Sequence, residues 1–298
     1  MTSPSRPVQG ILWMAVTGLC FIAVTAVVKH GAQDLPAAQA AFLRYLLGLV
    51  FLLPLLRSLV AVRMPARDWG LFATRGAAHT LGVTLWFFAM TQIPIAEVTA
   101  MNYLNPVYVT LGAALVLGEK LAARRLIAVG VALFGVVVIL RPGFREVQLG
   151  HAAMLLTAVL FAVSYLTAKP LSDRHPATLV VAMLSVTVTI GLAPLAALVW
   201  VPPTLADLGW MFLVAAFATA GHYTMTRAFA AAPIAVTQPV TFLQMVWAVL
   251  LGWALFDEPP DLFVVLGAAL IIGSVTFIAW RESRLKRQVT PPVLAVKH

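Results

Sequence analysis

The chain has 298 residues, 61% of them hydrophobic and only 10% charged, with a mean hydropathy of +0.95. A soluble protein of this length cannot hide that much apolar surface, because a folded globule covers its water-facing area with polar groups. The formal net charge of +9 is therefore no argument for nucleic acid as a partner, since in a lipid-embedded chain the placement of Lys and Arg matters more than their sum.

Apolar runs near twenty residues, the length that crosses a bilayer, recur from end to end. They predict an all-α polytopic protein with ten transmembrane helices, at 8–28, 36–57, 69–91, 95–118, 123–140, 149–169, 176–200, 207–230, 234–256 and 261–280. Short polar or Pro-rich connections such as "RPGFREVQ" and "FDEPPD" separate them and leave no room for a soluble domain. Arg6 precedes the first run without a small-x-small cleavage site, so that run reads as an uncleaved helix. Cys20 is the single cysteine, which excludes a disulfide framework and a Cys/His metal spacing. No cofactor or metal is expected.

In chain order, Thr17 and Phe21 form a stripe on the first helix that recurs on the sixth as Thr157, Phe161 and Ser164, with Tyr165 adjacent. Aromatic stripes are usually packing, but their recurrence makes Phe21, Phe161 and Tyr165 candidate cavity-wall residues. Arg44 on the second helix has no acid nearby in sequence and is expected to reach headgroups or cap helix ends. Arg75, His79, Gly82 and Trp86 share one face of the third helix. Arg75 is expected to snorkel to the cytoplasmic surface. His79, deeper, reads either as a contact for a substrate carboxylate or a proton-coupling group, or as a satisfied structural histidine. Trp86 fits a substrate-stacking role or an interfacial belt.

In the fourth helix, Glu97 lies in the first turn, where the dipole favours an acid. The expectation is a solvated acid, with proton coupling as the alternative. Asn102 and Asn105 share a face, and Pro106 removes the hydrogen bond that the Asn102 carbonyl would accept. An unpaired carbonyl in mid-membrane faces protein or a hydrated cavity, so both amides are candidate substrate contacts, with interhelical bonding as the plainer reading. Pro106 and Glu119 are read as hinge or cap positions. The fifth and tenth helices, with small residues at Ala128, Ala132, Gly135, Gly267 and Ser274, read as scaffold or dimer surface. In the eighth, His222, Tyr223 and Arg227 do not share one narrow face and receive no role.

With a cytoplasmic N-terminus, Lys and Arg divide fourteen inside to three outside, with Arg44, Arg75 and Arg227 in spans. That bias puts both termini in the cytoplasm. A shift of 139 residues then lays "IPIAEVTAMNYLNPVYVTLGAALVLGEKL" over "APIAVTQPVTFLQMVWAVLLGWALFDEPP" without a gap. Thr241 and Gln244 fall on Asn102 and Asn105, Glu258 on Glu119; an offset of 140 lays Lys29 on Lys169. Thr241 and Gln244 thereby join the candidate contacts. Five helices per copy is an odd number, so the second copy is inverted, an architecture that exposes one central site alternately to either side. The units are 1–145 and 146–282, followed by a basic cytoplasmic tail, 283–298.

These repeats resemble EamA-type proteins of the drug/metabolite transporter superfamily. "LPAAQAAFLRYLLGLVFLLPL" at 35–55 is similar to that family's second helix, and residues 91–140 to its most typical stretch, with the Gly-Glu-Lys-Leu exit. The resemblance covers residues 8–282 and implies a ten-helix inverted-repeat fold and export of small metabolites, commonly amino acids. The first helix departs from the family's Trp-Gly-x-Asn pattern, having Phe21, Ile22 and Val24 there. Residues 11–28 hold no acid, so the Glu-based coupling of the superfamily's small multidrug pumps does not carry over.

No His-Glu-x-x-His, Gly-x-Ser-x-Gly or intramembrane acid pair supports an enzyme. The expectation is therefore a non-enzymatic exporter of neutral, hydrophobic or aromatic amino acids in a bacterial-type inner membrane. Its partners would be a small-molecule substrate and lipid, as monomer or homodimer. Efflux of other small organic compounds, a channel or a membrane enzyme are the rival readings.

Overall fold

In the computed structural model, residues 7–53, 64–117, 123–172, 174–175, 177–231, 237 and 240–289 are described. The described part is helical, without a strand; Pro142 and Arg145 form one isolated bridge. The helices are α1 (Pro7–Gly31), α2 (Ala37–Gly48, continued by a 3-10 turn Leu49–Leu52), α3 (Ala66–Gln92), α4 (Ile95–Asn102), α5 (Asn105–Leu117), α6 (Ala123–Leu140), α7 (Leu149–Ser172), α8 (Ala177–Leu198), α9 (Leu205–Ala231), α10 (Leu243–Phe256) and α11 (Leu262–Val289). Five of them are long and apolar enough to cross a membrane: α1, α7, α8, α9 and α11. With the shorter apolar helices they make a polytopic, all-α membrane fold.

The two repeats interlock rather than stand side by side. The packed pairs include α1 with α9, α3 with α7, α2 with α8, and α6 with α11. Exchanging the repeats leaves this pairing unchanged. Close approaches are licensed by glycines at equivalent positions. A Cβ on Gly82 would lie 2.8 Å from the Phe161 ring, and one on Gly221 would lie 3.3 Å from the Phe21 ring. Each repeat's phenylalanine therefore rests on the other's bare backbone. Gly135 and Gly267 do the same for α6 and α11, where a Cβ on either would meet the other's carbonyl oxygen within 2.7 Å. Tight small-residue contact is how helices associate where lipid removes the hydrophobic drive. The small residues Gly135 and Gly267 thus serve contact within the chain.

The fourth span departs from the expected single helix at 95–118. It is broken at Tyr103–Leu104, where the Tyr103 and Leu104 N–H groups turn back to the Ala100 and Met101 carbonyls. Pro106 falls in the first turn of α5, where a missing N–H costs nothing because that group has no intrahelical partner. The break thus precedes the proline instead of sitting on it. The ninth span also breaks, with a turn at Phe242 before α10, the position equivalent to Tyr103. Glu119 lies outside the described residues.

Candidate functional site

The third and sixth spans meet around His79. Its ring stacks on Phe161, centroids 4.7 Å apart at 24°. One ring nitrogen lies 3.0 Å from the Tyr45 hydroxyl, the other 3.3 Å from the Ser164 hydroxyl. Trp86 approaches the Phe161 ring edge-on at 6.5 Å, and Tyr165 tilts against it at 6.4 Å. Across the pseudo-twofold, Phe21 meets His222 at 5.2 Å in a T-shaped contact. Tyr165 is 46% exposed and His222 is exposed. Trp86 Nε1 and Arg75 Nε are buried without a hydrogen-bond partner.

Two arginines were misplaced by sequence reasoning. Arg75 does not snorkel: it is 7% exposed and donates to the Val180 carbonyl at 3.0 Å. Packing of α3 on α8 covers the route to the surface. Arg44 reaches neither headgroups nor helix ends. It is 9% exposed, and its guanidinium lies over the Tyr45 ring, 4.1 Å from the centroid, because α2 packs against α3, α8 and α9.

The amides hold each other: Asn105 Nδ2 donates to Asn102 Oδ1 at 2.9 Å, leaving Asn105 Oδ1 buried without a partner. The Thr241 carbonyl accepts from the Tyr103 hydroxyl at 3.0 Å. Gln244 packs on α1, where a Cβ on Gly18 would lie 3.1 Å from its side chain. These four sit where the broken spans meet, and none of them is among the side chains that bond or stack on His79. Arg227 is exposed, bonded to the Tyr223 hydroxyl at 3.1 Å and set over Trp13.

Glu97 is not solvated. It is 2% exposed, clamped by both Arg145 guanidinium nitrogens at 2.8 and 2.7 Å and by His151 Nε2 at 2.5 Å. Its partners lie 48 and 54 residues away, across a loop whose fold the sequence does not announce. The same end of the bundle carries a second clasp. α4 starts after Pro94, so its first N–H groups lack intrahelical acceptors. Glu258 supplies one from the other repeat: Oε2 accepts from the Ile95 N–H at 2.9 Å. Lys29 pairs with Glu258 Oε1 at 2.5 Å and donates to the Ile93 carbonyl at 2.9 Å. Asp257, left-handed at φ 52°, ends α10 and lets the Glu258 N–H return to the Gly252 carbonyl at 3.0 Å, which aims the carboxylate. Arg141 pairs with Asp261 beside it. A pocket of about 560 Å³ lies against this end, lined by Glu97, Arg141, Arg145, Glu258 and Asp261 among others. None of these pairings was foreseen.

Both halves of the chain, residues 8–141 and 148–280, match the EamA-like transporter family. The chain belongs to the EamA-like transporter family. A riboflavin transporter of Rhizobium johnstonii is 34% identical over 96% of this chain and 95% of that protein. A pseudopaline exporter of Pseudomonas aeruginosa is 26% identical over 89% and 93%. A crystal structure with 19% identity superposes with a TM-score of 0.61, covering 95% of this chain and 99% of that one, which supports the fold alone. The EamA protein is thus a multi-pass transporter of the kind whose relatives move small metabolites.

Proposed function

We propose that this EamA protein carries flat aromatic metabolites, with flavins the first candidates, by alternating access in a bacterial cytoplasmic membrane. The observation that carries the reading is the aromatic cluster in which His79 stacks on Phe161 beside Tyr165, with Phe21 against His222 across the pseudo-twofold. An aromatic wall offers a conjugated cargo stacking at low entropic cost. A relative named for riboflavin, covering nearly the whole chain, supports the same class.

Aromatic amino acids are the second candidate, since their rings suit the same wall. Their ammonium group, however, needs an acceptor of negative character. Among the described residues, every acid lies in a loop, in the first turn of a helix or, for Glu282, in the last turns of α11, so the flavin reading is favoured. The Lys29–Glu258 and Glu97–Arg145–His151 clasps keep one face closed in this reading. With both termini cytoplasmic, that face is the outer one. Any proton exchange is assigned to His79, which lies at the centre, rather than to Glu97, which is held by Arg145 and His151 at the closed face. Counterflow of labelled riboflavin and of an amino-acid panel in proteoliposomes, with and without a pH gradient, tests the substrate and the coupling together. Riboflavin flux stimulated by internal riboflavin supports the reading; flux confined to amino acids overturns it.

A further inference from the structure

Two cations lie beside His79. Arg75 precedes it by one turn of α3, and Arg44 lies over the ring of Tyr45, whose hydroxyl is 3.0 Å from His79. Arg44 has no carboxylate partner among the described residues; its guanidinium lies over the Tyr45 ring. Arg75 spends one nitrogen on the Val180 carbonyl and leaves Nε buried and unpaired. His79 carries no negative charge, and Tyr45 and Ser164 occupy its two ring nitrogens.

Cations inside a membrane protein are expensive and face a partner, a cavity or a cargo. Here two guanidinium groups have no carboxylate partner among the described residues and lie beside an aromatic cluster. Planar donor forks of this kind match carboxylate and phosphate oxygens, often two at a time. We infer that this cluster forms an oxyanion site: the transported aromatic carries a carboxylate or phosphate group, which Arg44 and Arg75 neutralise while the rings of His79 and Phe161 hold its conjugated part. This rests on the aromatic-carrier reading and adds to it a charge requirement that riboflavin itself does not meet.

The test measures equilibrium binding to purified full-length protein with two charge-matched probe pairs. Riboflavin is compared with its 5′-phosphate, and indole-3-propionamide with indole-3-propionate. In the wild-type protein the anion of at least one pair binds about tenfold or more tightly than its neutral mate, the effect of one charge-assisted hydrogen bond. Preference in the phosphate pair alone names phosphate as the source, and preference in the indole pair alone names carboxylate. Arg44→Gln and Arg75→Gln reduce the preference below about twofold, while Arg44→Lys and Arg75→Lys retain part of it, as point charges without the fork. Equal affinities within both pairs in the wild-type protein overturn the oxyanion site and leave the aromatic carrier standing; that comparison needs no variant to fold. A preference that survives both Gln variants overturns the assignment to Arg44 and Arg75. Failure of all four probes to bind overturns the aromatic reading, and this inference with it.

Discussion

Tyr103 and Phe242 occupy equivalent positions of the two repeats, and they meet edge to face with ring centroids 5.6 Å apart. Each stands at the break of its own span, and the Tyr103 hydroxyl donates to the Thr241 carbonyl at 3.0 Å. The fourth and ninth spans thus join at their weakest points, where backbone groups freed by the break need partners. A double-mutant cycle of Tyr103→Leu and Phe242→Leu, read by thermal unfolding in detergent, should give a coupling of about 0.5–1.5 kcal/mol, the usual range for an aromatic pair. Tyr103→Phe alone should cost about 1 kcal/mol through the lost hydrogen bond.

The Glu97 cluster should be costly to break and cheaper to remove. Glu97→Gln leaves Arg145 without its carboxylate and should destabilise the protein by about 3 kcal/mol. Glu97→Gln combined with Arg145→Met should cost less than Glu97→Gln alone, because no uncompensated charge remains. Urea or thermal unfolding of the three variants checks the order.

The Lys29–Glu258 clasp should govern access to the closed face. A cysteine placed at Val249, a lining residue of the pocket there, in a Cys20→Ser background, should label slowly with a membrane-impermeant maleimide. Adding Glu258→Gln or Lys29→Met should speed labelling several-fold, since Glu258 also holds the start of α4. The charge-reversed pair Lys29→Glu with Glu258→Lys should restore part of the protection. Unchanged labelling in every variant would contradict a gating role.

At the start of α3, Asp68 is buried and held by His175 Nε2 at 2.8 Å and by Arg174. The bond from His175, chiefly, and then Arg174 keep its carboxyl below the usual carboxylate range. A depressed folded-state value adds stability that is present above the unfolded value and is lost as pH falls through the folded one. Wild-type protein should therefore lose thermal stability as pH drops below about 4. Asp68→Asn should be less stable at neutral pH and flatter over that acid range.

The fold was legible because two signals reinforce each other: apolar runs of membrane length, and a register that overlays Glu119 on Glu258 and Lys29 on Lys169. The same register already placed Tyr103 on Phe242, and could have pointed to their meeting on the axis. His79, Phe161 and Tyr165 were legible as stripes at helical spacing. Ion pairs were not. Lys29 finds Glu258, Glu97 finds Arg145 and His151, and Asp68 finds Arg174, at separations set by which helices pack and not by local spacing. Arg44 and Arg75 were read outward for the same reason: burial of a cation by three neighbouring helices leaves no mark on the sequence around it.

Stacking at the centre predicts a graded loss in binding. Phe161→Leu keeps an apolar surface but loses the ring, and should weaken riboflavin or its phosphate by about tenfold, in line with about 1–3 kcal/mol for a base on an aromatic platform. Quenching of flavin fluorescence on titration reads this directly.

The central claim is that this protein carries a flat aromatic past the stacked rings of His79 and Phe161. Counterflow in proteoliposomes, loaded with unlabelled riboflavin or its 5′-phosphate and presented with the labelled compound, tests it most directly. The account predicts saturable uptake that requires the internal compound and falls sharply in Phe161→Leu. Uptake no greater than in empty liposomes, or flux unchanged in Phe161→Leu, would contradict it.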